Sequence, residues 1–345
     1  MLKKCLILTL ACVFFAGAQS FASDNKTKVN FDQGGPNING IVSSIKTDAD
    51  NGSKLSPDAG LVKTYAVSAS KVTYATGYLN KKLPNSDWQS PAIVARVDQI
   101  PDTFDLRSEL TPIQDQGQCG SCWAFSLTAT NRDGHAILNG KDPGDLSQEW
   151  LVDNSPEADG CQGGDFDSAN NFINPGQPLA SSDPQGRCMY QEGAGQCPAK
   201  PNPPVTRIKA WHMLGPAGGS PSVKDIESYM AISGKPVSIT VAAGATDAKG
   251  QDDWMNYASG VYNGCTPALD KSAQVDHMIN IVGWDNEGAK FDKNGNLPPG
   301  KGIWILRNSW GTSWGMKGYM LSKMTDAQGL RCNDVAEEAA YFVFK

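Results

Sequence analysis

The chain has 345 residues, carries 36 acidic against 30 basic side chains for a net charge of −6, and draws 40% of its residues from hydrophobic types. That length suits one large or two medium domains with appendages and can bury a core without depending on staples alone. No basic block is present that could neutralise phosphates, which argues against nucleic acid as a partner.

Residues 1–22 read as a secretory signal peptide: Lys3 and Lys4, an uncharged apolar run from Cys5 to Ala18, then Ser20-Phe21-Ala22. The run is too short to serve well as a membrane span. Cleavage fits best after Ala22 and next best after Ala18. A lipoprotein site at Cys12 is poorly matched by Thr9.

Residues 23–99 are rich in Asn, Asp, Ser, Lys and Gly and contain no cysteine; the stretch to about Asp58 has a loosely structured composition. A β-like alternation between Leu61 and Leu79 (Tyr65, Val67, then Val72, Tyr74, Thr76) suggests a hairpin. The composition changes at Ile100-Pro101. Three helices are predicted next: one from Cys122 to Gly140, one N-capped by Ser147, and one over Phe166 to Ile173. The proline run Lys200–Pro204 reads as a crossover.

Beyond it the texture turns to β, with strands predicted at Ile208–Leu214, Pro236–Ala242, Val275–Trp284, Ile303–Arg307, Tyr319–Leu321 and Ala340–Phe344, interrupted by a helix at Ser222–Ile232. Two connections are long and polar, Ala243–Tyr257 and Asn286–Gly302. Asp292, Asn294 and Asn296 hint at a calcium loop, but the later glycine and glutamate are missing, so a surface hairpin is the better reading. The chain has a helical half, a sheet half and no internal repeat.

The chemistry centres on Gln116-Gly-Gln-Cys-Gly-Ser-Cys122-Trp-Ala-Phe-Ser126. A cysteine in the first turn of a helix meets the partial positive charge of unpaired N–H groups, which favours the thiolate. Two of the nine cysteines lie in the signal, leaving seven. In an exported chain an odd number suggests pairs plus one free thiol. The residues alone leave fifteen pairings of the other six open. They also leave open a C-x-x-C redox pair or a structural one.

A cysteine nucleophile needs a base and a group that orients the base. Only three histidines are present. His135 lies on the same helix as Cys122 but about 20 Å further on at helical rise, out of reach. His212 sits among apolar strand neighbours. His277 opens an apolar strand behind Asp276 and is the best placed base. Asn308 stands between an apolar strand and Trp310, where an unpartnered amide is costly to bury.

Four blocks resemble the papain-like cysteine proteases: the Cys122 segment, Gly160-Cys-Gln-Gly-Gly164, Asp276-His277, and Asn308-Ser-Trp-Gly with Trp314-Gly. The resemblance runs from about Pro101 to Lys345. It implies an α+β papain-like two-domain fold, with a helical left domain (about 111–200), an antiparallel β-barrel-like right domain (about 205–345) and the cleft between them. Residues 1–22 would be signal, 23–99 prosegment and 100–345 the catalytic domain.

The implied activity is that of a secreted or periplasmic endopeptidase made as a zymogen and acting through a thioester. Cys122 would be nucleophile, His277 its imidazolium partner and Asn308 the orienter. Gln116 would join the Cys122 N–H in the oxyanion hole, and Trp310 would shield the Asn308 to His277 bond from water. Gly163 and Gly164 would pair with the substrate backbone, Phe166 and Thr240 would wall the subsite, Glu337 would form its floor and attract basic residues, and Asp276 belongs to the same substrate-binding set.

The resemblance also implies disulfides Cys119–Cys161 and Cys265–Cys332. Asn154 stands where the family often has a cysteine, so Cys188 would pair locally with Cys197. No cofactor and no metal are implied. The implied partners are peptide or protein substrates and the chain's own prosegment as inhibitor, with no nucleic acid and no stable membrane span, in a monomer. The family's usual Glu/Arg/Phe/Asn prosegment pattern is absent from residues 23–99. That absence and the short lysine-containing signal suggest a bacterial source. Two rivals stand beside this reading: a C-x-x-C thiol–disulfide oxidoreductase, and a non-catalytic binding protein on the same fold.

Overall fold

The structure, a computed structural model, describes residues 64–79 and 99–344 apart from 157, 169–178, 181–187, 194, 196, 199–203, 207, 246–252 and 266–274. The predicted signal peptide lies outside the described residues, as do most of the prosegment and the end of the helix predicted at Phe166–Ile173. Residues 166–168 are helical.

The described strands and helices follow one another as β1 (Tyr65–Val67), β2 (Thr103–Asp105), α1 (Cys122–Asn139), α2 (Gln148–Asn154), β3 (Leu179–Ala180), β4 (Pro204–Thr206), β5 (Ile208–Met213), α3 (Val223–Ser233), β6 (Val237–Val241), β7 (Tyr257–Tyr262), β8 (His277–Asp285), β9 (Ile303–Arg307), β10 (Tyr319–Lys323) and β11 (Ala339–Phe344). The nine-stranded sheet has the order β1-β7-β10-β9-β8-β6-β11-β5, with β2 added to β8. It stays open. It is therefore not a closed barrel, and β10 pairs with β7 in parallel, so the right half departs from a purely antiparallel barrel.

Local chemistry explains the helix ends. Gly140 closes α1 in the left-handed region (φ 63), where glycine pays no Cβ penalty. Ser147 caps α2 by accepting from the Trp150 N–H at 3.0 Å. Ser222 and Asp225 form a reciprocal capping box on α3.

The hairpin expected between Leu61 and Leu79 does not form among residues 64–79. β1 pairs with β7 instead, and the residues after it run extended through the cleft. An edge of the large sheet offers more unpaired N–H and C=O groups than a short isolated hairpin can supply.

α1 is buried from Cys122 through Gly134. On one side it joins Trp123 and Leu127 to Leu146, Trp150 and Phe166. On the other it is bolted to β8: the Asn280 Nδ2 donates to Ser126 O at 3.0 Å and to Thr130 Oγ1 at 2.7 Å, and Ser126 Oγ donates to Ile279 O at 2.7 Å. This junction fixes the first turn of α1 against the first residue of β8. Arg307 at the end of β9 is buried against Asp133 of α1 and donates to Pro112 O at 2.8 Å, which anchors the strand that leads into Asn308.

Candidate active site

Cys122 opens α1 and His277 opens β8, and both are fully buried. The imidazole Nε2 lies 2.9 Å from Asn308 Oδ1. That oxygen also accepts from the Ser309 N–H at 2.7 Å, so it is the carbonyl end of the amide and the imidazole proton must sit on Nε2. In the neutral ring Nδ1 is then an acceptor, and it has no hydrogen-bond partner. It is the nitrogen available to a thiol.

Trp310 stacks on the His277 ring at 4.6 Å and 24°, and Trp314 meets Trp310 edge-on at 5.3 Å. The indole thus covers the imidazole face and keeps water from the Asn308 bond.

Gln116 is fully buried, and its Oε1 accepts from Ser309 Oγ at 2.6 Å, which turns its Nε2 toward Cys119 O and Ala75 O, both at 3.1 Å. The N-cap residue Ser121 does not cap α1 with its side chain. The first N–H groups of the helix are left for other partners, and Trp123 N–H is one of the donors that reach the Cys122 sulfur.

Residues 74–79 occupy the cleft. Tyr74 stacks on Trp310 at 4.6 Å and 14°, and Ala75 O accepts from Trp310 Nε1 at 3.2 Å. Gly77 and Tyr78 both donate to Asp276 O, at 3.0 and 2.9 Å. Gly164 N–H donates to Gly77 O and Leu79 N–H to Gly164 O, a parallel bridge between Tyr78 and Gly164. Gly163, at φ 137, would bring a Cβ to 2.8 Å from Gly77 O, so its lack of a side chain leaves room for a chain in the cleft, whereas a Cβ on Gly164 would stand 2.6 Å from the Trp123 ring.

The Tyr78 ring packs edge-on to buried Phe166 at 6.0 Å, and its hydroxyl donates to Glu338 Oε2. The expected floor residue was Glu337. That side chain is exposed, and the acid facing the pocket is its neighbour Glu338. Asn333, Asp334 and Ala336 all have positive φ, so the stretch after Cys332 does not follow a regular count. Thr240 lies behind the floor: it pins Glu338, accepting from the Glu338 N–H at 3.0 Å and donating its own N–H to Glu338 O at 3.1 Å. The Asp276 carboxylate accepts from Ala243 N–H at 2.8 Å and Gly244 N–H at 3.0 Å, which holds its main-chain oxygen in the cleft.

Burial pushes the Cys122 thiol up to about 12, against the N–H groups of Met278, Gly77 and Trp123, and it pulls His277 down to about 4, against Asn308. The helix-start argument for a thiolate is reversed in this closed state. With water excluded the neutral pair is favoured. Among the other histidines, His135 packs on Phe344 and His212 on Tyr341, away from the site.

Among the described residues three disulfides are formed, Cys119–Cys161, Cys188–Cys197 and Cys265–Cys332, and Cys122 is the free cysteine. A cysteine at a helix start, an imidazole with one nitrogen bound to an amide carbonyl, and a glutamine amide beside them define a cysteine hydrolase site of the Cys–His–Asn type. The chain belongs to the papain family of cysteine proteases, whose family description matches residues 100–343.

It is 32% identical over 225 residues to zingipain-2 of Zingiber officinale, covering 65% of this chain and 87% of that one. It is 33% identical over 252 residues to cysteine proteinase EP-B 1 of Hordeum vulgare, a match that spans only 60% of the barley protein. The digestive procathepsin L2 proteinase from Tenebrio molitor larval midgut shares the fold at a TM-score of 0.63 and 24% identity, over 88% of this chain and 91% of that one. A proform of the ragweed pollen cysteine protease Amb a 11 aligns at a TM-score of 0.52 and 26% identity, over 74% of this chain and 67% of that one.

The residues the sequence reading missed are Gly77, Tyr78 and Tyr74 from the segment lying in the cleft, Glu338 in the pocket, and Tyr190 behind the Gln116 loop. The signal for Tyr74 was present as β alternation, without anything in it to say which surface the stretch would join.

Proposed function

We propose that this chain is a secreted cysteine endopeptidase made as a zymogen and held inactive by residues 74–79 lying in its own cleft. The observation that carries this is the parallel bridge between Tyr78 and Gly164, with Gly77 against the Cys122 sulfur. Tyr78 fills the pocket of Phe166 and Glu338. A substrate that fills it with the residue two before the scissile bond must run on from there toward Cys122. The prosegment runs the opposite way, from the Trp310 end to the Gly164 end. It therefore blocks the cleft without offering a carbonyl in the reactive sense.

Once the segment leaves, the Cys122 proton passes to His277 Nδ1 and the sulfur attacks the substrate carbonyl carbon. The resulting oxyanion is held by Gln116 Nε2–H and the Cys122 N–H. Collapse to the thioester expels the amine, which takes the proton from His277. Water then attacks the thioester carbon, giving its proton to His277, and the sulfur leaves. Asn308 keeps the imidazole aligned through both steps, under the Trp310 lid.

Glu338 in the pocket favours Arg or Lys alongside apolar residues at that subsite. The division into signal (1–22), prosegment (23–99) and catalytic unit (100–345), export to an oxidising compartment, and a bacterial source belong to the same reading. Three disulfides support the compartment, and no described helix is long and apolar enough to cross a membrane. The test is hydrolysis of a fluorogenic peptide by the full chain before and after removal of residues 23–99. Activity that rises on removal supports the reading, and equal activity in folded samples refutes it.

A further inference from the structure

We propose that the Cys188–Cys197 loop is a clamp on the oxyanion loop, residues 116–121, and that Tyr190 is a positioning residue for acyl transfer. The proposal rests on the assignment of Gln116 and the Cys122 N–H to the oxyanion hole.

The disulfide closes a short loop, with a sequence separation of 9, and sends two side chains into the same target. The Tyr190 hydroxyl donates to Gln116 O at 2.7 Å, so its oxygen is left to accept from Ser121 Oγ at 2.6 Å. One hydroxyl therefore joins the residue that carries one oxyanion donor to the residue immediately before the other. The Glu192 carboxylate accepts from the Gln118 N–H at 3.0 Å, between those two points.

Ser121 is the N-cap residue of α1, and its hydroxyl is turned to Tyr190 instead of capping the helix. A serine that capped would take a first-turn N–H for itself. Diverting it leaves the Trp123 N–H to the Cys122 sulfur. Tyr190 is itself fixed, edge-on to Phe125 at 4.7 Å and 88°, and burial holds its phenol above the ordinary value so that it stays a donor. The base of the loop is tied to α2, where Asp153 accepts from the N–H groups of Gly195 and Cys197 at 2.7 and 2.9 Å. Through Tyr190 and Glu192 the loop grips residues 116, 118 and 121 of the oxyanion loop.

The test is a double-mutant cycle on enzyme processed from the full chain and active-site titrated: Tyr190→Phe, Gln116→Ala and both together, with kcat and KM on one peptide substrate. Expected for Tyr190→Phe is a fall of about tenfold in kcat with KM nearly unchanged, as for a small misplacement of a reacting group. The loss should shrink markedly in the Gln116→Ala background. Ser121→Ala, which leaves the ring packing alone, should show a smaller loss with the same pattern. An unchanged kcat, or a Tyr190 loss that is the same in both backgrounds, overturns the proposal while leaving Gln116 in place. A Gln116→Ala enzyme with wild-type kcat removes the oxyanion assignment itself, and the proposal falls with it for that separate reason.

Discussion

Gly77 and Gly120 meet backbone to backbone: a Cβ built on Gly77 would stand 1.9 Å from the Gly120 carbonyl oxygen and 2.7 Å from its Cα. Gly120 is hemmed in turn, its own Cβ position lying 2.4 Å from Cys161 O. None of these atoms belongs to a flexible side chain. The cleft segment around Gly77 therefore has to move away if a methyl group is added.

Gly77→Ala is accordingly expected to loosen the inhibitory segment and leave the catalytic unit intact. Overpacking of this kind costs about 1–3 kcal/mol, which corresponds to a closure weaker by about 5-fold to about 140-fold at about 1.4 kcal/mol per decade. The readout is peptide hydrolysis by the unprocessed chain. A Gly77→Ala chain as silent as wild type would show that the contact does not hold the cleft shut.

Glu338, and not Glu337, is expected to set the response to a basic residue two before the scissile bond. Replacing Glu338 by Gln should lower the ratio of kcat/KM for Arg over Phe at that position by about tenfold, since a charge partner is lost in a partly buried pocket. Glu337→Gln should leave the ratio unchanged. The opposite result would return the pocket floor to Glu337.

Thiol alkylation should report the closed and open states. In the full chain, burial holds the Cys122 thiol at about 12 and His277 at about 4, so alkylation near pH 7 should be slow. After processing, water and the freed imidazole stabilise the charged pair, which lowers the thiol and raises the histidine. The rate should then rise through an apparent pKa of about 4 and hold across neutral pH, as for a His-paired thiolate. A processed enzyme whose alkylation begins only near pH 8.5 would contradict the ion pair.

Glu227 lies buried on α3 with one oxygen accepting from Asn286 Nδ2 at 2.9 Å and the other unpaired. Burial raises its carboxyl well above the usual value, against the Asn286 bond. A carboxyl raised in the folded state contributes stability below its unfolded pKa and loses it as pH climbs toward the folded one. Glu227→Gln should therefore stabilise the fold by about 1–2 kcal/mol at pH 7 and have little effect near pH 4. Thermal unfolding at the two pH values measures this, and a variant less stable at pH 7 would contradict it.

Much of this architecture was legible in the residues. Periodicity and capping placed α1, α2 and α3, because Ser147, Ser222 and Gly140 act locally and the apolar spacing extends over whole turns. Cys122 and His277 each open a regular element and Asn308 directly follows one, so the period of the adjoining element bears on their direction. Glu338 was missed by one position because the chain between Cys332 and β11 turns through three residues of positive φ, and no period survives such a path. The cleft segment was misread as a hairpin for a different reason. Its alternation is satisfied by pairing with β7 and then with Gly164 and Asp276, partners far away in sequence. Tyr190 carried no local signal, since its role depends on a loop closed by a disulfide and on a serine released from its cap.

The central claim is that Cys122 and His277 form one reactive pair, closed by the prosegment. Its most direct measurement is labelling with a mechanism-based cysteine protease epoxide, followed by mass mapping, on the full chain, the processed enzyme and processed His277→Ala. The account requires modification confined to Cys122 in the processed enzyme, strongly reduced in the full chain and lost without His277. Labelling of Cys119 alongside Cys122, or no labelling of a folded processed enzyme, would contradict it.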